Sequence, residues 1–256
     1  MNRLLFLSLI VIILSCEDKQ TNDIPLVNDI SVVTYENDPI EIPLTDLDVG
    51  NSELSFEVIT EPTHGILNDD FPNITYTPNI NFSGEDFFTY RIFDGINYSE
   101  IATVTITILP VNLSALYINE FMARNDSTYV DEEGDYDDWL EIYYGGNGSI
   151  DLSGFFLTDN VGNLSKWMFP HETIISSSEF LLVWCDEEQD EGELHTNFRL
   201  NFDGEFIALV ASDGLTIIDS VSFGIQTADI SFGRVPDGNT SWQALPVPSP
   251  NSSNGN

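Results

Sequence analysis

The strongest constraint on this chain is a two-residue hydrophobic period. Thr103-Val104-Thr105-Ile106-Thr107-Ile108 alternates polar and apolar side chains without a break. Successive side chains of a strand point to opposite faces, so such a segment wets one face and buries the other in an antiparallel sheet. Between Ile24 and Val111 the same reading predicts strands at Ile30–Glu36, Ile40–Leu44, Leu54–Ile59, Ile66–Leu67, Ile74–Thr77, Phe87–Phe93 and Ile101–Leu109. Between Leu113 and Pro248 it predicts Leu116–Ala123, Trp139–Tyr144, Gly154–Leu157, Glu179–Trp184, Phe198–Leu200, Phe206–Val210, Ile217–Phe223 and Ser231–Arg234. These runs are rich in Val, Ile, Thr, Tyr and Phe and are broken by Gly, Pro, Asn and Asp. The expected class is all-β, with two sandwich domains in tandem.

Short strands at this spacing, ahead of Val111, fit an immunoglobulin-like sandwich. Pro62-Thr63-His64-Gly65-Ile66-Leu67, Tyr76-Thr77-Pro78, Phe82-Ser83-Gly84-Glu85-Asp86-Phe87-Phe88-Thr89-Tyr90 and Asp94-Gly95 follow one another there. The glycines suit turns and the aromatics suit a sandwich interior. In this order the landmarks resemble the cadherin-like (bacterial Ig-like, VCBS-type) domain of bacterial surface proteins, over residues 25–111.

The second unit carries Ile118-Asn119-Glu120-Phe121-Met122-Ala123, Asp137-Asp138-Trp139-Leu140-Glu141-Ile142-Tyr143 and Asp151-Leu152-Ser153-Gly154-Phe155. Leu157-Thr158-Asp159, Lys166-Trp167-Met168-Phe169-Pro170, Asn197-Phe198-Arg199-Leu200, Gly204-Glu205, Asp219-Ser220-Val221 and Gly233-Arg234 continue the pattern. It resembles a lamin-tail domain over residues 113–248, which implies a second immunoglobulin-like fold. Residues 249–256 are polar and are expected to be a disordered tail.

At the N-terminus, Arg3 precedes an apolar run from Leu4 to Leu14 that is too short to cross a bilayer as a lasting helix. Ile13-Leu14-Ser15-Cys16 resembles a bacterial lipobox, departing from it only in the bulk of Leu14. The resemblance implies a signal peptide over residues 1–16 and lipidation of Cys16; the other reading is an ordinary secretory signal. Residues 17–24 read as a flexible tether. Acids directly after the cysteine resemble a signal for the outer face of the outer membrane in diderm bacteria. The expected location is therefore exported, lipid-anchored in the outer membrane and surface-exposed.

Composition narrows the partners. The chain has 7 Lys+Arg against 43 Asp+Glu, a formal net charge of -36. Nucleic acid is excluded as a partner, because its binding depends on cationic neutralisation of phosphates. Adsorption to anionic lipid is disfavoured for the same reason, so membrane attachment depends on acyl chains. An acidic surface invites divalent cations, or serves solubility alone. With Cys16 lipidated, Cys185 has no internal partner, and its setting in Phe180-Leu181-Leu182-Val183-Trp184-Cys185 marks a small core residue.

Calcium is the expected cofactor, because hard cations take carboxylate and carbonyl oxygens from turns. Asp46 and Asp48 resemble the D-x-D element of cadherin-like domains, and Asp29, Asp86 and Asp94 would complete a site if they converge. The junction Pro110-Val111-Asn112 lacks the acids that bind calcium between true cadherin repeats. A second acidic cluster comprises Asp131, Glu133, Asp135 and Asp137, but Tyr136 stands where a helical calcium loop needs glycine and Ile142 where it needs glutamate. His195 follows Asp186, Glu187, Glu188, Asp190, Glu191 and Glu193, which form either a metal cluster or a solvated loop. His64 belongs to the P-x-H-G turn, and His171 stands apart.

No local signature joins a nucleophile, a base and an orienting acid. The leading expectation is a non-catalytic surface lipoprotein that presents two β-sandwiches for adhesion or envelope scaffolding to a protein or glycan ligand. A carbohydrate-binding accessory protein is the alternative, with Tyr143, Tyr144 or Trp242 as sugar-stacking aromatics. A hydrolase working through paired carboxylates is a minor third.

Overall fold

The computed structural model describes residues 24–44, 54–68 and 70–255. Cys16, Asp46 and Asp48 lie outside the described residues. The first domain is built from β1 (Ile30–Tyr35), β2 (Ile40–Pro43), β3 (Ser55–Thr60), β4 (Gly65–Leu67), β5 (Asn73–Pro78), β6 (Gly84–Phe93) and β7 (Ala102–Leu109). Each falls on a segment that the sequence predicts as strand. One sheet runs β1-β7-β6-β3 and the other β2-β5-β4. β1 pairs with β7 in parallel, Ile30 opposite Val104.

The alternation in β7 does what its period requires: Ala102, Val104, Ile106 and Ile108 are buried, with Thr103, Thr105 and Thr107 on the wetter face. From β6, Phe88, Tyr90 and Ile92 meet them, and Ile42, Leu44, Ile74 and Tyr76 close the core from the opposite sheet. Each fully buried aromatic or branched side chain contributes about 1.5–3 kcal/mol.

The second domain contains β8 (Leu116–Met122), β9 (Trp139–Tyr144), β10 (Ser149–Asp151), β11 (Phe156–Thr158), β12 (Trp167–Met168), β13 (Ile174–Ser176) and β14 (Phe180–Trp184). It continues with β15 (Phe206–Val210), β16 (Ile217–Ser222), β17 (Ser231–Arg234) and β18 (Trp242–Leu245). A five-stranded sheet in the order β14-β9-β8-β17-β18 faces a four-stranded sheet in the order β12-β11-β15-β16, with β10 and β13 paired beside them. Leu140, Ile142 and Tyr144 of β9 point into the core shared with Leu157, Phe198, Ile207 and Leu209.

Three expectations are corrected here. Phe198–Leu200 is not a strand: Phe198 and Leu200 plug the core from a loop, and only an isolated bridge joins Arg199 to Asp186. β10, β12, β13 and β18 were not anticipated, since two to four residues are too few to show a period.

The third correction concerns the terminal segment. Residues 249–255 do not form a disordered tail but return to the outer face of the five-stranded sheet. Glu120 and Glu141, opposite one another on β8 and β9, are both fully buried there. Ser249 donates its amide and hydroxyl to Glu120, at 3.1 and 2.9 Å, and the Asn251 amide donates to Glu141 at 2.6 Å. Asn254 lies 4% exposed and donates to the carbonyls of Arg234 and Asn119. Buried carboxylates need donors, and the polar terminal residues supply them.

The same outer face carries Met122, Trp139 and Trp184 in a small second cluster. β9 and β14 are antiparallel with Trp139 opposite Trp184, so the loop entering β9 and the loop leaving β14 emerge at one end. Those two loops are the two acidic stretches of the sequence.

Candidate metal centre

The calcium set expected in the first domain does not assemble among the described residues. Asp86 is 2% exposed, and its carboxylate accepts from the Thr63 amide and hydroxyl, the His64 amide, the Tyr76 hydroxyl and its own neighbour's amide, Phe87. Ionised carboxylates have about four lone-pair sites, all used here. Burial works to raise its pKa, but these donors win and hold it below the ordinary carboxylate value. Asp94 caps a turn by accepting from the Ile96 and Asn97 amides, and Asp29 accepts from the Thr103 amide.

The motif residues that carried the first resemblance turn out to be one structural knot. Asp86 pins the Thr63-His64 turn to β6, and the His64 ring stacks on Phe82 at 4.1 Å. A Cβ on Gly65 would sit 2.3 Å from the Tyr76 ring, which is why glycine stands there. Aspartate, histidine, glycine and tyrosine in this pattern mark packing.

In the second domain the acidic loops do converge. A cleft of about 550 Å³ is lined by Tyr129, Asp131, Glu132, Leu181, Trp184 and His195, among others. Tyr129 stacks on Trp184 at 5.8 Å and gives the cleft an aromatic wall. Asp131, Glu191 and His195 each present a ligand atom, and these three atoms lie within 4.8 Å of one another.

Each member is held by its own loop. One oxygen of Asp131 accepts from the amides of Glu133, Gly134 and Asp135, at 3.0, 2.8 and 2.8 Å. Burial works to raise its pKa, and these amides lower it further than burial lifts it. Glu133 and Asp135 are therefore corrected from ligand candidates to loop formers: their side chains are exposed and only their amides reach the site. Asp137 is 8% exposed and has an unpartnered oxygen. Burial first, then the charges of Asp186 and Glu188, push its pKa up.

His195 lies alongside the end of β14: the Trp184 amide donates to Leu194 and the Thr196 amide to Trp184, both at 2.9 Å. Its Nδ1 hydrogen-bonds Asp186, which is fully buried, and its Nε2 lies 3.5 Å from Glu132. Burial works against the imidazolium, but Asp186 and Glu132 raise its pKa above the ordinary histidine value. Glu191 is pushed up to about 7 by burial, then by the charge of Glu188 and by the Asp131 carboxylate beside it.

Sequence reasoning named Asp131 in one cluster and His195 with Glu191 in another, and did not join them; Glu132 it missed. What joins them is the pairing of the Trp139 and Trp184 strands, which a strand pattern in the sequence does not reveal. The candidate sugar-stacking aromatics are structural. Tyr144 is fully buried, Tyr143 packs on Phe180 at 4.9 Å, and Trp242 is stacked on Phe232 with the Arg234 guanidinium 4.7 Å from its ring centroid. Cys185 is fully buried and burial pushes its thiol far up, as a core residue requires.

Residues 22–107 match the family model of the bacterial Ig domain, and residues 112–224 match that of the lamin tail domain. None of the curated proteins matches this chain. Among solved structures, an endo-fucoidan hydrolase from glycoside hydrolase family 107 is 13% identical, with 82% of this chain and 29% of that one covered and a TM-score of 0.41. The human Desmocollin-1 ectodomain is 13% identical, with 81% and 43% covered and a TM-score of 0.28. The chain thus spans less than half the length of either structure. The chain carries a bacterial Ig domain over residues 22–107 followed by a lamin tail domain over residues 112–224.

Proposed function

We propose that this protein is an exported lipoprotein, anchored at Cys16 in the outer membrane, and that it works without catalysis by presenting a binding cleft on its second sandwich. Two β-sandwich domains of these families fit an adhesion or scaffold role. The observation that carries the reading is the cleft itself. Its apolar floor at Leu182, the Tyr129–Trp184 wall and its carboxylate rim are preformed on a packed sheet. A concave, partly aromatic surface with a few placed polar groups is what a ligand site requires. The buried Glu120–Glu141 pair does not offer hydrolytic chemistry, since the terminal segment seals it.

The test uses the full chain in a diderm host. Palmitate label should enter the wild type and not Cys16→Ser, and external protease should reach the labelled protein. Cells displaying it should bind members of a panel of envelope proteins and glycans, and Tyr129→Ala should weaken that binding about tenfold. Unlabelled protein free in the periplasm, or binding indifferent to Tyr129→Ala, would sink the reading. Binding confined to glycans would turn it toward a carbohydrate-binding accessory, for which the exposed Tyr129 ring supplies the stacking platform.

A further inference from the structure

Of three carboxylate oxygens among the described residues of the second domain that are sealed from solvent with no hydrogen-bond donor, two, Asp131 Oδ2 and Glu191 Oε2, belong to neighbouring side chains. Asp131 is 8% exposed, and three backbone amides grip its other oxygen, so the side chain cannot turn away. Leaving such oxygens buried and unpaired is costly, and adjacent carboxylates make it worse. A proton shared between the two carboxyls or a bound cation removes the cost, and a cation can also use the imidazole beside them.

The third member shows which cation. His195 is 3% exposed, and its Nδ1 is engaged by Asp186, a carboxylate that is itself fully buried. Ligating histidines are held in this way, one ring nitrogen on a carboxylate and the other presented to the metal. Here Nε2 is the nitrogen left to bind, with the Glu132 carboxylate 3.5 Å away. Calcium takes six to eight oxygens and magnesium a near-octahedral oxygen shell, and neither favours imidazole. One imidazole with two or three carboxylates suits zinc and its divalent transition neighbours.

We propose that Asp131, Glu191 and His195 bind a single divalent transition-metal ion of the zinc class. Asp186 acts as a positioning residue for the imidazole, and Glu132 supplies a further oxygen from the rim. Asp131 and His195 line the cleft, so the ion forms part of its wall. This site goes beyond the display reading and stands independently of lipidation or of any partner.

The test is a titration of the full chain, purified in detergent and stripped with chelator, with zinc alone. One zinc per chain should bind at micromolar affinity or better, and millimolar calcium should not displace it. Glu191→Gln and Asp131→Asn should each weaken zinc about tenfold or more, as should Asp186→Asn, which replaces no ligand but loosens the hold on the His195 ring. Glu191→Gln removes a charge from an unpaired position, so its metal-free melt should be no lower than that of the wild type. Cobalt supplies a readout on the unmutated chain: a tetrahedral visible spectrum should develop at one equivalent and vanish when zinc is added. No zinc uptake, calcium displacing zinc, affinity unchanged in the variants, or cobalt without that spectrum would each overturn the proposal.

Discussion

At the scale of single residues, the acids of this chain divide by what surrounds them. Asp86 and Asp131 are both buried aspartates held by backbone amides, yet every oxygen of Asp86 is engaged and one oxygen of Asp131 is not. The first is a structural clamp and the second a site candidate, and sequence spacing does not distinguish them. Asp86→Asn turns one accepting arm into a donor that faces other donors. It should destabilise the first domain by about 3 kcal/mol, readable as a lower urea midpoint. Because the folded pKa of Asp86 is depressed, its stabilisation is complete above the ordinary aspartate value and disappears as pH falls through the lowered one. The wild-type advantage over Asp86→Asn should therefore shrink in acid; an advantage independent of pH would refute the clamp.

At the scale of elements, β8 and β9 show why a pattern can be right and incomplete. Leu140, Ile142 and Tyr144 keep the expected two-residue period toward the core, while Trp139 and Glu141 on the other face are buried as well. A two-residue period by itself assigns that face to solvent, and the terminal segment that covers it has no period of its own. Burial, opposed by the Asn251 amide and aided by the charge of Glu120, pushes Glu141 up to about 8 from its ordinary 4.5. A raised carboxylate means that the folded state holds the proton more tightly, so folding is most favourable below 4.5 and loses stability as pH rises to about 8. This is the opposite sign to Asp86. Glu141→Gln should flatten the decline of the melting temperature across that window, as followed by calorimetry. Parallel curves for the two proteins would show that Glu141 does not titrate there.

At the scale of the whole molecule, a net charge of -36 makes the folded state repel itself. Screening shortens from about 30 Å at 0.01 M salt to about 8 Å at 0.15 M, so the melting temperature should rise by several degrees over that range. A flat response would mean that the charges are already locally neutralised. By itself the sequence determined the class and the tandem arrangement, because a two-residue period and turn residues act locally and survive without tertiary information. It also marked the buried face of β7 and the core role of Cys185. Only the tertiary structure decided that Asp131 meets Glu191 and His195, that Asp86 is consumed by the Thr63-His64 turn, and that residues 249–255 are clamped over Glu120 and Glu141. Each depends on contacts between residues far apart in the chain, set by which strands pair and which loops therefore share an end of the sheet.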